Sequence, residues 1–359
     1  MVMYLEFAFG IALQLAHLLQ FRDVRFELLS VKKIWDNAPH NAFTDLIRFN
    51  GRWYCAFREG KAHVSDDGKL RLIVSDDGEG WRSVSLFECP DGDLRDPKLS
   101  ITADGMLMLN SAVRFTAPLD GSKYRQFKWA LSVDGSPWEE FSRNFSAMKG
   151  LTHQSLTWLS KDGEEFLGPY ACVSGAGTWR WSVTWHGGFG YSVGYGGKDA
   201  SGCLYRTSDG KRWEIVASNI FPDGKGNEAS LVFTDDGTLY CLLRDGGRSG
   251  NAHIGVANPP YTNWLWKDLG MRIGGPKLFR LPSGLFICGV RLYEGRIRTS
   301  LCVIDVYEGK MSELLTLPSG GDTSYTGIFW HDDVLWVSYY SSHEGKSAIY
   351  LAKVRASLR

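Results

Sequence analysis

A seven-residue pattern, [Ser/Thr]-x-Asp-Gly-x-x-Trp, occurs three times in this chain, at residues 75–81, 132–138 and 207–213. Each copy follows a run of β-type residues, at 70–74, 128–131 and 203–206. Asp-Gly supplies the positive-φ position that a tight turn needs, and the Asp carboxylate can accept backbone N–H bonds across it. The Trp that follows (Trp81, Trp138 and Trp213) is placed to fold back over the hairpin. A heptapeptide repeated at irregular spacing commits the chain to many short hairpins rather than to long helices.

A longer repeat runs beside it. Gly51, Gly105, Gly237 and Gly284 each separate two mostly apolar runs: 40–49 with 53–57, 95–101 with 106–113, 228–233 with 238–243, and 276–281 with 285–290. Two weaker copies, 179–195 and 325–340, turn at Gly187-Gly188 and Asp332-Asp333. The heptapeptide resembles the Asp-box of sialidases, shortened by one residue. That resemblance implies a β-propeller, and six strand–turn–strand units predict an all-β, six-bladed β-propeller with Asp-box-like turns. The domain is expected to occupy 23–359, with Val24–Trp35 pairing with a C-terminal strand at 347–354.

Composition agrees, with 41 glycines and 13% aromatic residues but no sustained helical period. The net charge of zero offers no footprint for nucleic acid or an anionic membrane, so neither is expected as a partner. Of seven cysteines, none forms a C-x-x-C pair, and Cys55, Cys241 and Cys288 each stand four residues after an anchor glycine, as packing residues between blades. An odd count without a disulfide framework favours a reducing, cytoplasmic compartment. Residues 1–22 are apolar but carry Glu6 and His17, a poor membrane span without a basic leader, and are set aside as an extension outside the fold. No metal-ligand spacing, phosphate loop or nucleophile elbow is present, so no metal or cofactor is expected.

In a propeller the starts of the inner strands line a central mouth. Here they bring His40 and Asn41, Arg95 and Asp96, Trp179 and Arg180, Asn227 and Glu228, Gly275, and Ser324 and Tyr325. Arg58, Arg244 and Arg291 each follow an anchor glycine by seven residues, which predicts convergence on one cavity able to clamp a carboxylate or dense hydroxyls. A carbohydrate ligand fits such a mouth. The resemblance to sialidases extends to these residues, over roughly 36–345. Asn227-Glu228-Ala229-Ser230-Leu231, continuing through Asp236-Gly237 to Arg244, is similar to the segment bearing that family's Glu and one of its carboxylate arginines. Thr323-Ser324-Tyr325 followed by Asp333-Val334-Leu335 is similar to the segment bearing its nucleophilic Tyr.

The resemblance implies that Tyr325 attacks the anomeric carbon while Glu228 takes its proton, with Arg244 and Arg291 binding substrate. The family's first-blade Arg has no counterpart, since the matching stretch is Pro39-His40-Asn41-Ala42-Phe43. The acid/base stays open among His63 and Asp66 on the loop 59–69, and Asp96, which occupies the repeat position of Glu228. The expected activity is a sialidase-like exo-glycoside hydrolase acting on an acidic or densely hydroxylated terminal sugar. Two alternatives stand: a glycan-binding propeller without turnover, and a lyase on uronates using His40, His63 and Tyr325.

Overall fold

The computed structural model describes residues 24–117, 130–135, 150–247 and 249–358. The extension at 1–22 and Trp138 lie outside the described residues. Among the described residues the regular structure is antiparallel β, with helix confined to two short 3-10 turns at Val173–Gly175 and Gly197–Asp199. None of it is a helix long and apolar enough to cross a membrane.

The first strand, β1 (Val24–Trp35), pairs antiparallel with the last, β24 (Ala348–Leu358), as the sequence predicts. The sheet is completed by β23 (Val334–Ser341) and β22 (Thr323–His331). The next sheet is a meander of β2 (His40–Phe49), β3 (Arg52–Gly60), β4 (Lys69–Ser75) and β5 (Arg82–Phe87), followed by β6 (Gly92–Ile101), β7 (Leu107–Phe115), β8 (His153–Ser160) and β9 (Leu167–Tyr170). In the following sheet the inner strand is split into β10 (Trp179–Arg180) and β11 (Thr184–His186), both paired with β12 (Phe189–Tyr195), before β13 (Cys203–Thr207) and β14 (Glu214–Ser218).

The remaining strands form one seven-stranded sheet: β15 (Gly226–Phe233), β16 (Leu239–Asp245), β17 (Asn251–Ala257), β18 (Leu265–Arg280), β19 (Phe286–Leu292), β20 (Arg298–Asp305) and β21 (Lys310–Thr316). Its long β18 serves two meanders, the first part pairing with β17 and the part from Ile273 onward with β19. Inner strands neighbour one another, β2 beside β6 and β22, and β18 beside β15 and β22.

Burial explains why these strands are inner ones. β2 and β6 are covered on both faces almost throughout, whereas β5 is largely exposed and β1 alternates. The apolar clusters lie between sheets, as where Trp53 of β3 stacks on Trp336 of β23 at 4.2 Å. All seven cysteines are free, and Cys55, Cys241 and Cys288 have no exposed surface. The four anchor glycines sit at φ between 79° and 91°.

The Asp-Gly turns join the third and fourth strands of three meanders. Between β4 and β5, Asp77 Oδ1 accepts the N–H of Glu79 (2.8 Å) and Gly80 (3.2 Å), and Ser75 Oγ accepts that of Gly78. Asp209 does the same between β13 and β14. The corresponding turn between β8 and β9 is Ser160-Lys161-Asp162-Gly163, with identical bonds to Asp162. It escaped the sequence pattern because Phe166 stands where Trp was required. The described part of the copy at 132–138, residues 132–135, falls instead between β7 and β8. Each turn is docked on the second strand of the preceding sheet: a Cβ on Gly78 would strike Trp336, one on Gly163 would strike Tyr54, and Gly210 faces Met108. Trp213 is buried, but Trp81 only partly so.

Candidate active site

Five inner strands share one irregularity. In each, two residues oppose one on the neighbouring strand: Phe43-Thr44 in β2, Asp96-Pro97 in β6, Asn227-Glu228 in β15, Gly275-Pro276 in β18 and Tyr325-Thr326 in β22. Such a bulge bends its strand and re-aims a side chain. Phe43, Asp96 and Tyr325 hold positive φ (62°, 52° and 53°), a strained choice for non-glycine residues that marks functional positions in many proteins. Pro97 and Pro276 fit because a bulge residue owes no ladder bond.

The bulges bring together two residues 97 positions apart: the Tyr325 hydroxyl donates to Glu228 Oε1. Glu228 Oε2 accepts from Arg244 Nη1 (3.2 Å) and from the backbone N–H of Gly275 (2.7 Å). Burial raises the Glu228 carboxyl's proton affinity, but Arg244 and these hydrogen bonds outweigh it and hold the group below its ordinary pKa. Tyr325 moves the other way, its pKa pushed up by burial and by the Glu228 anion. Trp181 (5.7 Å), Phe43 (4.9 Å) and Tyr340 (6.0 Å) pack around its ring, and the Arg291 guanidinium lies 5.4 Å from its centroid. A phenol beside an ionised, well-held carboxylate can surrender its proton at the moment of attack without first becoming a phenolate.

Asp96 sits in the β6 bulge with 7% of its surface exposed, and its Oδ1 is buried without a protein partner. Burial pushes its pKa up to about 6 against the pull of Arg95, with Glu228 adding to the rise. The other two acid/base candidates are committed elsewhere. Asp66 is 66% exposed and pairs with Arg114 (3.0 Å), pointing to the surface. His63 directs Nδ1 at Asp322 Oδ2 (2.7 Å), an atom that also meets His40 Nε2 (2.8 Å).

The arginines divide. Arg244 reaches Glu228, and Arg291 lies over the Tyr325 ring. Arg58 does neither: it has no exposed surface and spends its guanidinium on Asp93 (2.7 Å), the Ala62 carbonyl and Ser65. All three arginines lie on the face turned away from the preceding sheet, since Trp53, Cys55 and Phe57 pack with Trp336, Leu239, Cys241 and Leu243 with Tyr191, and Phe286, Cys288 and Val290 with Leu242. The physical reason is the partner: Asp93 of β6, itself without exposed surface, takes the Arg58 guanidinium beside the loop at 62–65. Arg95 donates to Asp93 (3.2 Å) and the His63 carbonyl (3.0 Å) while lying 4.9 Å over Phe43. Arg180 is buried over Trp213 (4.6 Å) beside the third Asp-Gly turn.

Asp322 and Tyr340 belong to the site but were not found from sequence. Asp322 Oδ1 accepts from Arg291 Nη2 (3.2 Å) and the Tyr340 hydroxyl (2.7 Å) while Oδ2 meets the two histidines. Burial raises its pKa, yet these donors overcome burial and keep it a carboxylate. His40 Nε2, His63 Nδ1 and Asp322 Oδ2 lie within 4.8 Å of one another and are the described residues placed to hold a metal ion. His40 Nδ1 is buried without an acceptor, so it lacks the outer partner that normally fixes a metal-bound imidazole.

No protein-family profile and no curated protein matches the sequence. Solved structures do. The chain is similar to a protein of unknown function from Dyadobacter fermentans, with TM-score 0.74 and 20% identity over 93% of this chain and 99% of that one. It is also similar to the α-L-arabinofuranosidase of Fusarium graminearum in complex with an iminosugar inhibitor, with TM-score 0.64 and 11% identity over 91% and 98% of the two chains. Trypanosoma rangeli sialidase aligns with TM-score 0.60 and 8% identity over 88% of this chain, which spans 55% of that longer protein. At these identities the likeness is one of fold. The chain shares the all-β fold of these solved structures.

Proposed function

We propose that this chain is an exo-glycoside hydrolase working by double displacement, with Tyr325 as nucleophile, Glu228 as its base and Asp96 as acid/base, and that its four-stranded units are the six blades of one closed propeller formed by residues 24–358. The observation that carries the reading is the hydrogen bond from the Tyr325 hydroxyl to Glu228 Oε1, made between two bulged strands. The two glycosidases of similar fold agree with it.

In the first step the Tyr325 oxygen bonds to the anomeric carbon and its proton passes to Glu228. The bond to the leaving oxygen breaks as protonated Asp96 supplies that oxygen's proton. In the second step Asp96, now ionised, takes a proton from water, whose oxygen attacks the same carbon. Tyr325 leaves and recovers its proton from Glu228. Two inversions return the starting anomeric configuration, the Tyr variant of the two-carboxylate scheme. Arg244 and Gly275 N–H hold Glu228 in place, and Arg291 over the Tyr325 ring stabilises negative charge growing on it.

The lyase reading loses its acid/base pair, because His40 and His63 face Asp322 rather than Tyr325. Incubating the purified protein with aryl-glycosides and with uronate polymers separates the readings. Released sugar without unsaturated product supports hydrolysis, unsaturated product overturns it, and saturable binding without either product supports a binding propeller.

A further inference from the structure

We infer that the sugar ring this site accepts is uncharged, and that Asp322 with His40 and His63 forms the subsite that reads its hydroxyls. The inference rests on the glycosidase reading only in taking this cavity as a sugar site.

The starting observation is that the cations near Tyr325 already have protein anions. Arg244 is matched to Glu228 (3.2 Å), Arg291 to Asp322 (3.2 Å) and Arg95 to Asp93 (3.2 Å). The edge of Arg291 best shaped for a carboxylate is the one formed by Nε and Nη2. Nε donates to the Thr323 carbonyl (2.7 Å), and Nη2 serves Asp322 and the Tyr340 hydroxyl (2.6 Å). A ligand carboxylate seated there would stand against the Asp322 carboxylate, and like charges in a partly desolvated cavity repel strongly. Nor can Asp322 easily step aside. His40, His63, Arg291 and Tyr340 hold its two oxygens, and its backbone N–H donates to Ser342 Oγ (2.9 Å).

The same arrangement suits a hydroxyl. A hydroxyl donates one hydrogen bond and accepts others, so it needs an acceptor and a donor side by side. With Nδ1–H given to Asp322, the His63 ring presents Nε2 to a sugar hydroxyl and remains reachable, with 44% of its side chain exposed, while Asp322 fixes the ring's orientation. His40 Nδ1, buried without a partner, is a further polar atom at this cluster with unused capacity. The protein's own carboxylate thus occupies the position in which an acidic sugar would present its anion.

The test measures binding to the full chain by ligand-observed NMR. Neutral methyl pentosides and hexosides are compared with the methyl glycosides of glucuronic acid and sialic acid. Neutral glycosides are expected to bind at least tenfold more tightly than either acidic one. Asp322→Asn should weaken the neutral ligands at least tenfold and reduce or reverse the preference, since it frees Arg291 for an anion. His63→Ala, at a half-exposed side chain that leaves the hub otherwise intact, should weaken neutral ligands three- to tenfold without changing the melting temperature. Tighter binding of an acidic glycoside by the unaltered chain overturns the inference. So does an unchanged preference in Asp322→Asn, or no saturable binding of any neutral glycoside. Failure of the hydrolase reading looks different: neutral ligands bind with the expected preference but are never cleaved.

Discussion

Asp96 and Glu228 occupy the same place in two units of the repeat, nine residues before Gly105 and Gly237, and both ride a bulge that opens the strand pairing. Their environments drive them apart. Glu228 is surrounded by donors, namely Arg244, the Gly275 N–H and the Tyr325 hydroxyl, and stays ionised. Asp96 is buried with an unpartnered oxygen and keeps its proton up to about pH 6. One backbone device, repeated around the molecule, thus places two carboxyl groups, and the donors beside each decide which stays ionised and which holds its proton. Pairs of titratable groups pushed apart in this way are how acid and base are told apart in many active sites.

The largest effect should come from the ionised member. Glu228→Gln or Tyr325→Phe should each lower kcat by about 10⁴-fold, and the double variant should be little worse, because groups acting as a unit are not additive. Near-native turnover in Tyr325→Phe would break the comparison at its root. Asp96→Asn should cost about 10²–10³-fold on alkyl glycosides and much less on a dinitrophenyl glycoside, whose leaving group needs no proton. It should also remove the alkaline fall of kcat/KM, which in the unaltered protein is expected to begin near pH 6 as Asp96 loses its proton. If that limb survives in Asp96→Asn, another group is the acid.

The same substitution has a signature in stability. A carboxyl whose folded pKa lies above its unfolded value binds more protons when folded, so folding weakens as pH rises from about 4 to 6. Asp96→Asn should therefore stabilise the fold at pH 8 by about 2–3 kcal/mol and give no such gain at pH 4, as read by denaturant titration at both values. Glu228, with a lowered pKa, has the opposite sign, its contribution present above the unfolded pKa and lost as pH falls through the folded one. The smallest effect is expected for Arg244→Lys, which keeps the charge but loses the fixed fork. About tenfold of kcat should go, and the acidic limb of kcat/KM should move to higher pH as Glu228 is less well held.

What the sequence made legible follows from how far each feature reaches along the chain. Inner strands such as β2 and β6 are buried on both faces, so their apolar runs and the glycine turns between them are visible locally. Outer strands such as β5 and β14 are mostly exposed and left little signal. Glu228 and Tyr325 were named by resemblance, and their meeting needed the fold. The bulges had a faint local mark, in that Pro97 and Pro276 stand inside otherwise strand-like runs. Asp322 had none. It follows Gly320-Gly321 and reads as a turn residue, while its partner His40 lies 282 residues away. Arg58 shows the opposite failure, a real periodicity whose third member meets a buried carboxylate, Asp93, that counting cannot see.

The docked Asp-Gly turns carry a consequence for the order in which the molecule can be assembled. Gly163 seats on Tyr54 and Gly210 on Met108, so each of these turns leans on a strand that leaves the ribosome before it. The turn at Gly78 leans on Trp336, which is made near the end of synthesis. During translation two joints can therefore engage in sequence while the first waits open, keeping the Trp53 ring without its stacking partner until Trp336 arrives. Engagement of that last joint reports that the chain has come full circle, and a nascent chain halted before Trp336 should display an uncovered Trp53 that the finished protein hides.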